Sequence, residues 1–437
     1  MKDTDIIVIG AGAAGLMAAH TLTKAGRKVL LLEARDRLGG RIHTINDQGF
    51  SRPVELGAEF VHGDLPLTLA LLDEAGIGTT DVKFEMWQHH NDSFTMSEEF
   101  VDNWDMFLEQ ANRLDHDMTL LQFLEQNFTS EHYAKMRRQI ESYVAGYDTA
   151  DIKDISIFSL RNQWNHENED AQHRVKNGYC GMVTYLAKTI EDLGSHIVLN
   201  SVVKDIIWKK NSVTVTTSDT TAFTAQKVII ALPLGVLHAE KHNAGYIQFK
   251  PHMHEYDQAL KNIGFGSVIK ILLEFDEIFW KSEKVNKLAG TGLSGMGFLF
   301  SDEVIPTFWT QAPAQTPLLT GWLGGPPAYA KKDNPPEAIL ALAINSLSRI
   351  FKISDSLLTE RLTAWRVADW SSDPYTLGSY AYDKIQSAKA RKVLRHGVKD
   401  TVFFTGEYMY DGPAIGTVEA ALNSGKHVAE MILKSDT

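Results

Sequence analysis

Cysteine is almost missing: Cys180 is the only one in 437 residues. One thiol excludes an internal disulfide and any zinc site built on several cysteines. No run of eighteen apolar residues occurs, which argues against a membrane-spanning helix. Positive charge is also in short supply. The 43 Lys+Arg against 55 Asp+Glu give a net charge of −12 without a basic block, so no nucleic-acid partner is expected. The His-Glu-x-x-His and Gly-x-Ser-x-Gly signatures are absent, which leaves neither a metal nor a serine nucleophile as an expectation. Met1-Lys2-Asp3-Thr4-Asp5 lacks the basic and long apolar regions of a signal peptide, and Lys434-Ser435-Asp436-Thr437 matches no retention address. A cytoplasmic location is therefore expected. What remains, 44% hydrophobic and 22% charged residues, is the balance of an ordinary globular chain.

The first informative segment is Asp5–Ile9, a β-branched run suited to a strand buried on both faces. It leads into Gly10-Ala-Gly12-Ala-Ala-Gly15, a helix over Leu16–Lys24 and a second strand over Lys28–Glu33. Gly10 suits the tight turn, Gly12 a close approach to pyrophosphate, and Gly15 close packing of helix on strand. The helix N-terminus offers free N–H groups to phosphate. Glu33 follows Gly15 by 18 residues, where a carboxylate accepts from a ribose hydroxyl and disfavours a 2′-phosphate. Arg35, Gly40 and Arg41 follow within Ala34-Arg-Asp-Arg-Leu-Gly-Gly-Arg41, which suits a second backbone approach to an anionic cofactor.

This opening pattern, a dinucleotide unit followed by Glu-x-x-x-x-x-Gly-Gly-Arg, resembles the flavin amine oxidase superfamily, with its monoamine, polyamine and L-amino acid oxidases. The resemblance extends over nearly the whole chain. It implies an α/β fold: a discontinuous Rossmann-type FAD-binding domain over 1–80, 175–250 and 390–437. A second, α+β substrate domain over 81–174 and 251–389 would hold a mixed sheet and a helical part. Residues from about 80 to 175 read as an amphipathic bundle, with Phe107, Ala111, Leu114 and Met118 on one face and Leu120, Phe123 and Leu124 on another. Pro326-Pro327 reads as a surface loop, and a helix is expected from about Glu337 to Phe351.

By the same resemblance, Gly57 and Ala58 lie near the flavin, with Glu59 and His62 in the substrate pocket. Val203, Pro233, Gly406, Glu407, Thr417 and Val418 join the cofactor site. Thr401–Glu407 reads as a strand ending in Gly-Glu, and a final helix opens at Gly416-Thr417-Val418. Its N-terminus would stabilise negative charge on a reduced ring.

Lys270 lies in the apolar strand Gly266–Phe275, where an ammonium needs a partner. The resemblance implies that it holds a water against flavin N5; the alternative is a lysine on a wet strand face. Trp370-Ser-Ser-Asp-Pro-Tyr-Thr-Leu-Gly-Ser-Tyr380 is similar to the family signature that places Tyr380 beside the amine and Trp370 in the pocket. The alternatives are Tyr380 as a core residue and His62 as a structural one. Thr417 stands where monoamine oxidases carry a second tyrosine, so the aromatic cage is half formed. Ser379 stands where they attach FAD through cysteine, so FAD is expected to be non-covalent.

These residues imply oxidation of a primary or secondary amine, polyamine-like favoured, to an imine with O2 reduced to H2O2. The enzyme would act as a monomer or homodimer. An L-amino acid oxidase, a protoporphyrinogen oxidase or a carotenoid desaturase are the alternatives.

Overall fold

The computed structural model describes residues 4–83, 85–96, 101–166, 172–290 and 292–435. Met1–Asp3, Asp436 and Thr437, on which the reading of the two chain ends partly rested, lie outside them.

The continuous β-branched run at the front forms the middle strand of a five-stranded parallel sheet. Its order is His196–Val198, Val29–Leu32, Ile6–Ile9, Lys227–Ile230 and Val402–Phe404. Each position of Ile6–Ile9 and Val29–Leu32 is buried, as a sheet covered on both faces requires. On one face pack the helices Ala13–Lys24, Cys180–Asp192 and Val418–Ser435, sharing a core with Leu16, Leu22, Leu186 and Ile432. On the other lies a four-stranded sheet containing Val203–Lys209 and Ser212–Thr217. This core also takes in Met253, Leu260, Ile263 and Leu394.

The rest of the chain builds a seven-stranded mixed sheet ordered Leu362–Asp369, Val268–Phe275, Leu318–Gly324, Thr307–Thr310, Met296–Ser301, Glu85–His90 and Ser93–Met96. Helix Pro336–Phe351 buries Ile339, Leu347 and Ile350 in its core. Helices from Trp104 onwards form a separate cluster around Phe107, Phe123 and Ile140. The fold is therefore α/β: a Rossmann-type unit beside an α+β unit with a mixed sheet and a helical part.

Three expectations need correction. The segment from about 80 is not helical at its start, because Thr79–Asp81, Glu85–His90 and Ser93–Met96 are strands. The last two form a hairpin whose turn residues, Asn91 and Asp92, have φ of 48° and 60°. Asn and Asp tolerate that left-handed conformation, and the turn it makes matches the strand twist. Leu114 and Met118 do not share a helix with Phe107, since Trp104–Asn112 ends before them; Met118 reaches the same core from a loop. Finally, Pro326-Pro327 lies in the first turns of a short helix, Gly325–Tyr329, where a missing N–H costs little.

Candidate active site

A cavity of about 1270 Å3 is lined by residues from the Gly10–Gly12 turn, by the mixed sheet and by the exposed Lys135 and Asp302. Ligand pockets commonly span roughly 300–1,000 Å3, so this one has room for a dinucleotide and a second molecule. Every residue singled out from the sequence lines it except Gly15. Gly15 lies behind the wall, where a Cβ would come 1.9 Å from Gly10 O and hold the helix off the strand.

At the nucleotide end, no side chain caps the helix Ala13–Lys24 and its first turn holds no acid. Its free N–H groups therefore meet the cavity without a protein anion. A Cβ on Gly12 would meet nothing within 4 Å, so the backbone there is open to a ligand. Gly40, with φ of +60°, faces it across the turn. Glu33 is 4% exposed and accepts from Ala11 N at 2.8 Å and Arg35 N at 3.0 Å. Arg35 is tied to Asp373 and, at 2.8 Å, to Thr376 Oγ1. Arg41 pairs with Glu407 at 3.0 Å and donates to Ser379 O, joining three segments distant in sequence. These uncapped donors and paired arginines fit a pyrophosphate-bearing cofactor.

Ser379 Oγ shares a 2.7 Å hydrogen bond with Thr149 Oγ1. Thr417 has a capping duty that the sequence did not reveal: its hydroxyl donates to Ala414 O at 2.6 Å and accepts from Ala420 N at 3.2 Å. Trp370 is buried, donates from Nε1 to Leu56 O at 3.0 Å and packs beside Gly57.

At the other end the walls are aromatic: Phe60, Phe298, Trp309, Trp322, Tyr147 and Tyr380. Tyr380 donates to Tyr147 O. Burial, with Asp148 adding to it, raises its phenol well above the ordinary range, so it stays neutral. His62 Nδ1 lies 2.8 Å from Gln172 Oε1, which can only accept, so Nδ1 carries the proton and Nε2 a lone pair. Burial lowers its pKa and keeps the ring neutral near pH 7.

Lys270 is 1% exposed and has the partner its strand demanded: Nζ donates to Glu59 Oε2 at 2.6 Å and Gly57 O at 3.1 Å. Glu59 thus lines the cavity beside Trp309 while its two oxygens turn onto Lys270 and Arg174. Arg174, Trp309 and Gln311, which complete its surroundings, were not legible in the sequence.

Nearby, burial raises Glu55 to about 7 against the opposing hydrogen bond from Tyr179 N at 2.7 Å. Its folded value lies above its ordinary one, so its contribution to stability is complete below about pH 4.5 and lost as pH rises through about 7. Glu55→Gln is expected to match the parent in Tm at pH 4.5 and exceed it by several degrees at pH 8. Equal melting curves at both pH values would refute the buried proton.

Among the described residues no three His, Cys, Asp or Glu side chains converge to hold a metal. His238 and His242 stand four apart, but the helix Leu234–Leu237 stops before them. No helix of the described residues is long and apolar enough to cross a membrane.

The family model of the flavin-containing amine oxidoreductases matches residues 13–433. The chain belongs to that family. Similar proteins include polyamine oxidase 4 of Oryza sativa subsp. japonica, 27% identical over 97% of this chain and 88% of that protein. Polyamine oxidase 2 of Arabidopsis thaliana is 28% identical over 98% of this chain and 88% of its own. A solved putrescine oxidase bound to putrescine shares the fold with a TM-score of 0.80 at 22% identity, covering 99% of each chain. This amine oxidoreductase uses FAD, held non-covalently, and its reaction is the oxidation of an amine. Acid precipitation is expected to leave FAD in the supernatant; yellow colour kept in the pellet would contradict this.

Proposed function

We propose that the enzyme oxidises polyamine-type substrates at a primary or secondary amine, with O2 as the final acceptor. The reading rests on the chemistry of the reacting end. There the cavity presents aromatic faces, a neutral tyrosine and a neutral imidazole, while Arg35, Arg41 and Arg174 are all paired to carboxylates. Among the described residues, none of these three guanidinium groups is left to clamp a substrate carboxylate. The names of the similar plant proteins point the same way.

FAD, when bound, would supply the acceptor for the hydride, with its two electrons, that leaves the substrate carbon. The chain's residues do the rest. His62 Nε2 takes a proton from the substrate ammonium and leaves the nitrogen lone pair free. Tyr380 and the aromatic rings orient the amine without an ion pair. Lys270, with two donors taken by protein, directs the third to a water. The imine is hydrolysed by water, and O2 takes up two electrons and two protons to give H2O2.

A second reading, an L-amino acid oxidase, is favoured by one observation: Arg138 lines the cavity and, like Lys135, is exposed. A substrate panel decides between them. Anaerobic bleaching at 450 nm is expected with di- and polyamines and not with amino acids; the reverse pattern would overturn the proposal. Tyr380→Ala is expected to lower kcat/KM for amines by roughly 10-fold, on the scale of one aromatic contact, while FAD content holds. Unaltered kcat/KM would remove Tyr380 from the pocket. Sedimentation and cell fractionation test the accompanying expectations of a monomer or homodimer in the cytoplasm.

A further inference from the structure

We propose that Glu59 is the positioning residue of Lys270: its buried carboxylate, anchored from behind by Arg174, fixes the ammonium at the reacting end and keeps it charged at working pH. The inference rests on the reading that Lys270 acts beside the bound FAD.

The geometry carries it. Lys270 belongs to Val268–Phe275, a strand buried at every position, with Trp322 and Ala368 opposite it on its two neighbours. An ammonium there has at most a cavity water to keep it charged and depends on a local anion. Glu59 Oε2 supplies it at 2.6 Å. The other oxygen, Oε1, is held by Arg174 and by Trp309 Nε1 and Gln311 Nε2, both at 3.2 Å. Arg174 is in turn fixed by Thr310 O at 2.9 Å and Ala312 O at 3.2 Å. The carboxylate is therefore gripped on both oxygens and cannot swing away from Lys270.

Two cations share this one anion, which leaves the group about one positive charge in excess. Burial alone would raise Glu59, but Lys270 and Arg174 outweigh it and hold it down at about 2. Among the other groups, Glu55 also acts on Lys270, yet burial makes it largely protonated below about pH 7. Arg52 faces Glu59 and Glu274 from the rear, and His62, which Glu59 influences, is neutral. Glu59 is thus the one dependable counter-ion. Removing its charge leaves two buried cations together, and lysine, unlike arginine, can relieve that by losing its proton.

The test is a pH series on the FAD-loaded enzyme. Because Glu55 titrates near pH 7 and acts on Lys270, all variants carry Glu55→Gln; in that background reoxidation by O2 and the reduction potential of bound FAD are expected to vary smoothly between about pH 6 and 9. Glu59→Gln is expected to introduce an inflection in both within that window. At the alkaline end reoxidation falls on the order of 10-fold, a modest share of what one preorganised charge supplies, and it recovers at the acid end. Adding Lys270→Met to Glu59→Gln is expected to abolish the inflection, which assigns it to Lys270. Glu59→Asp, which keeps the charge but draws it back by one bond, is expected to move the inflection to higher pH. A smooth profile in Glu59→Gln, or an inflection that survives in the double variant, overturns the inference. Should Glu59→Gln not fold, Glu59→Ser, which also removes the charge, takes its place, and a smooth profile there overturns the inference. Lys270→Met alone separates the two levels. If that variant is unimpaired, the reading of Lys270 fails; if it is impaired while Glu59→Gln is smooth, only the role of Glu59 fails.

Discussion

Lys270→Met is expected to slow reoxidation of the reduced enzyme on the order of 10²-fold, the scale of one preorganised electrostatic donor. Charge builds on O2 as it accepts electrons, and the ammonium is buried and lines the cavity. Methionine keeps the unbranched apolar stem and removes charge and donors. The fold should tolerate the change, because Glu59 keeps Arg174, Trp309 and Gln311 as partners and is not left as an unpaired buried anion. FAD content should therefore match the parent. Stopped-flow traces of both half-reactions decide the matter. Parental rates in both would reduce Lys270 to a structural ion pair.

Two glycine substitutions should part company. Gly57→Ala places a methyl 1.7 Å from Arg41 O and 3.3 Å from the Trp370 ring. The chain there is pinned on both sides, Leu56 N to His43 O at 2.9 Å and Ala58 N to Arg41 O at 3.2 Å. Relief requires moving Gly40-Arg41, which lines the nucleotide end. Overpacking typically costs about 1–3 kcal/mol, and a backbone clash belongs at the upper end. Both Tm without cofactor and FAD retention should fall. Gly12→Ala meets no protein atom within 4 Å and has an ordinary φ of −75°. Its apo Tm should be unchanged, while FAD affinity drops by roughly 10- to 100-fold, about 1.4 kcal/mol for each factor of ten. Differential scanning fluorimetry with and without FAD reads both. A parental FAD affinity in Gly12→Ala would show that no cofactor approaches that turn.

Much of the nucleotide end was legible because its signals are local. Gly10, Gly12, Gly15 and Glu33 lie within one strand–turn–helix–strand unit, whose geometry follows from glycine conformations and β-branched burial. The signal for the hairpin at 85–96 is equally local, the turn pair Asn91-Asp92, but the surrounding segment rich in polar and aromatic residues masks it. That Lys270 needed a partner also followed from its apolar strand. Its partner did not follow.

Chain order by itself determined the strand–turn–helix–strand nucleotide unit and the demand that Lys270 be neutralised; the resemblance to the flavin amine oxidases added the expectation of FAD and the missing thiol at Ser379. Only tertiary structure decided how that demand is met. Glu59 lies 211 residues from Lys270 and 115 from Arg174; Arg41 meets Glu407, and Thr417 caps a helix rather than merely replacing an aromatic wall. A hydrogen bond is worth its energy only within a few tenths of an ångström of 2.9 Å. Whether two charges so far apart along the chain come that close depends on how whole sheets pack, and residue spacing holds no record of that distance.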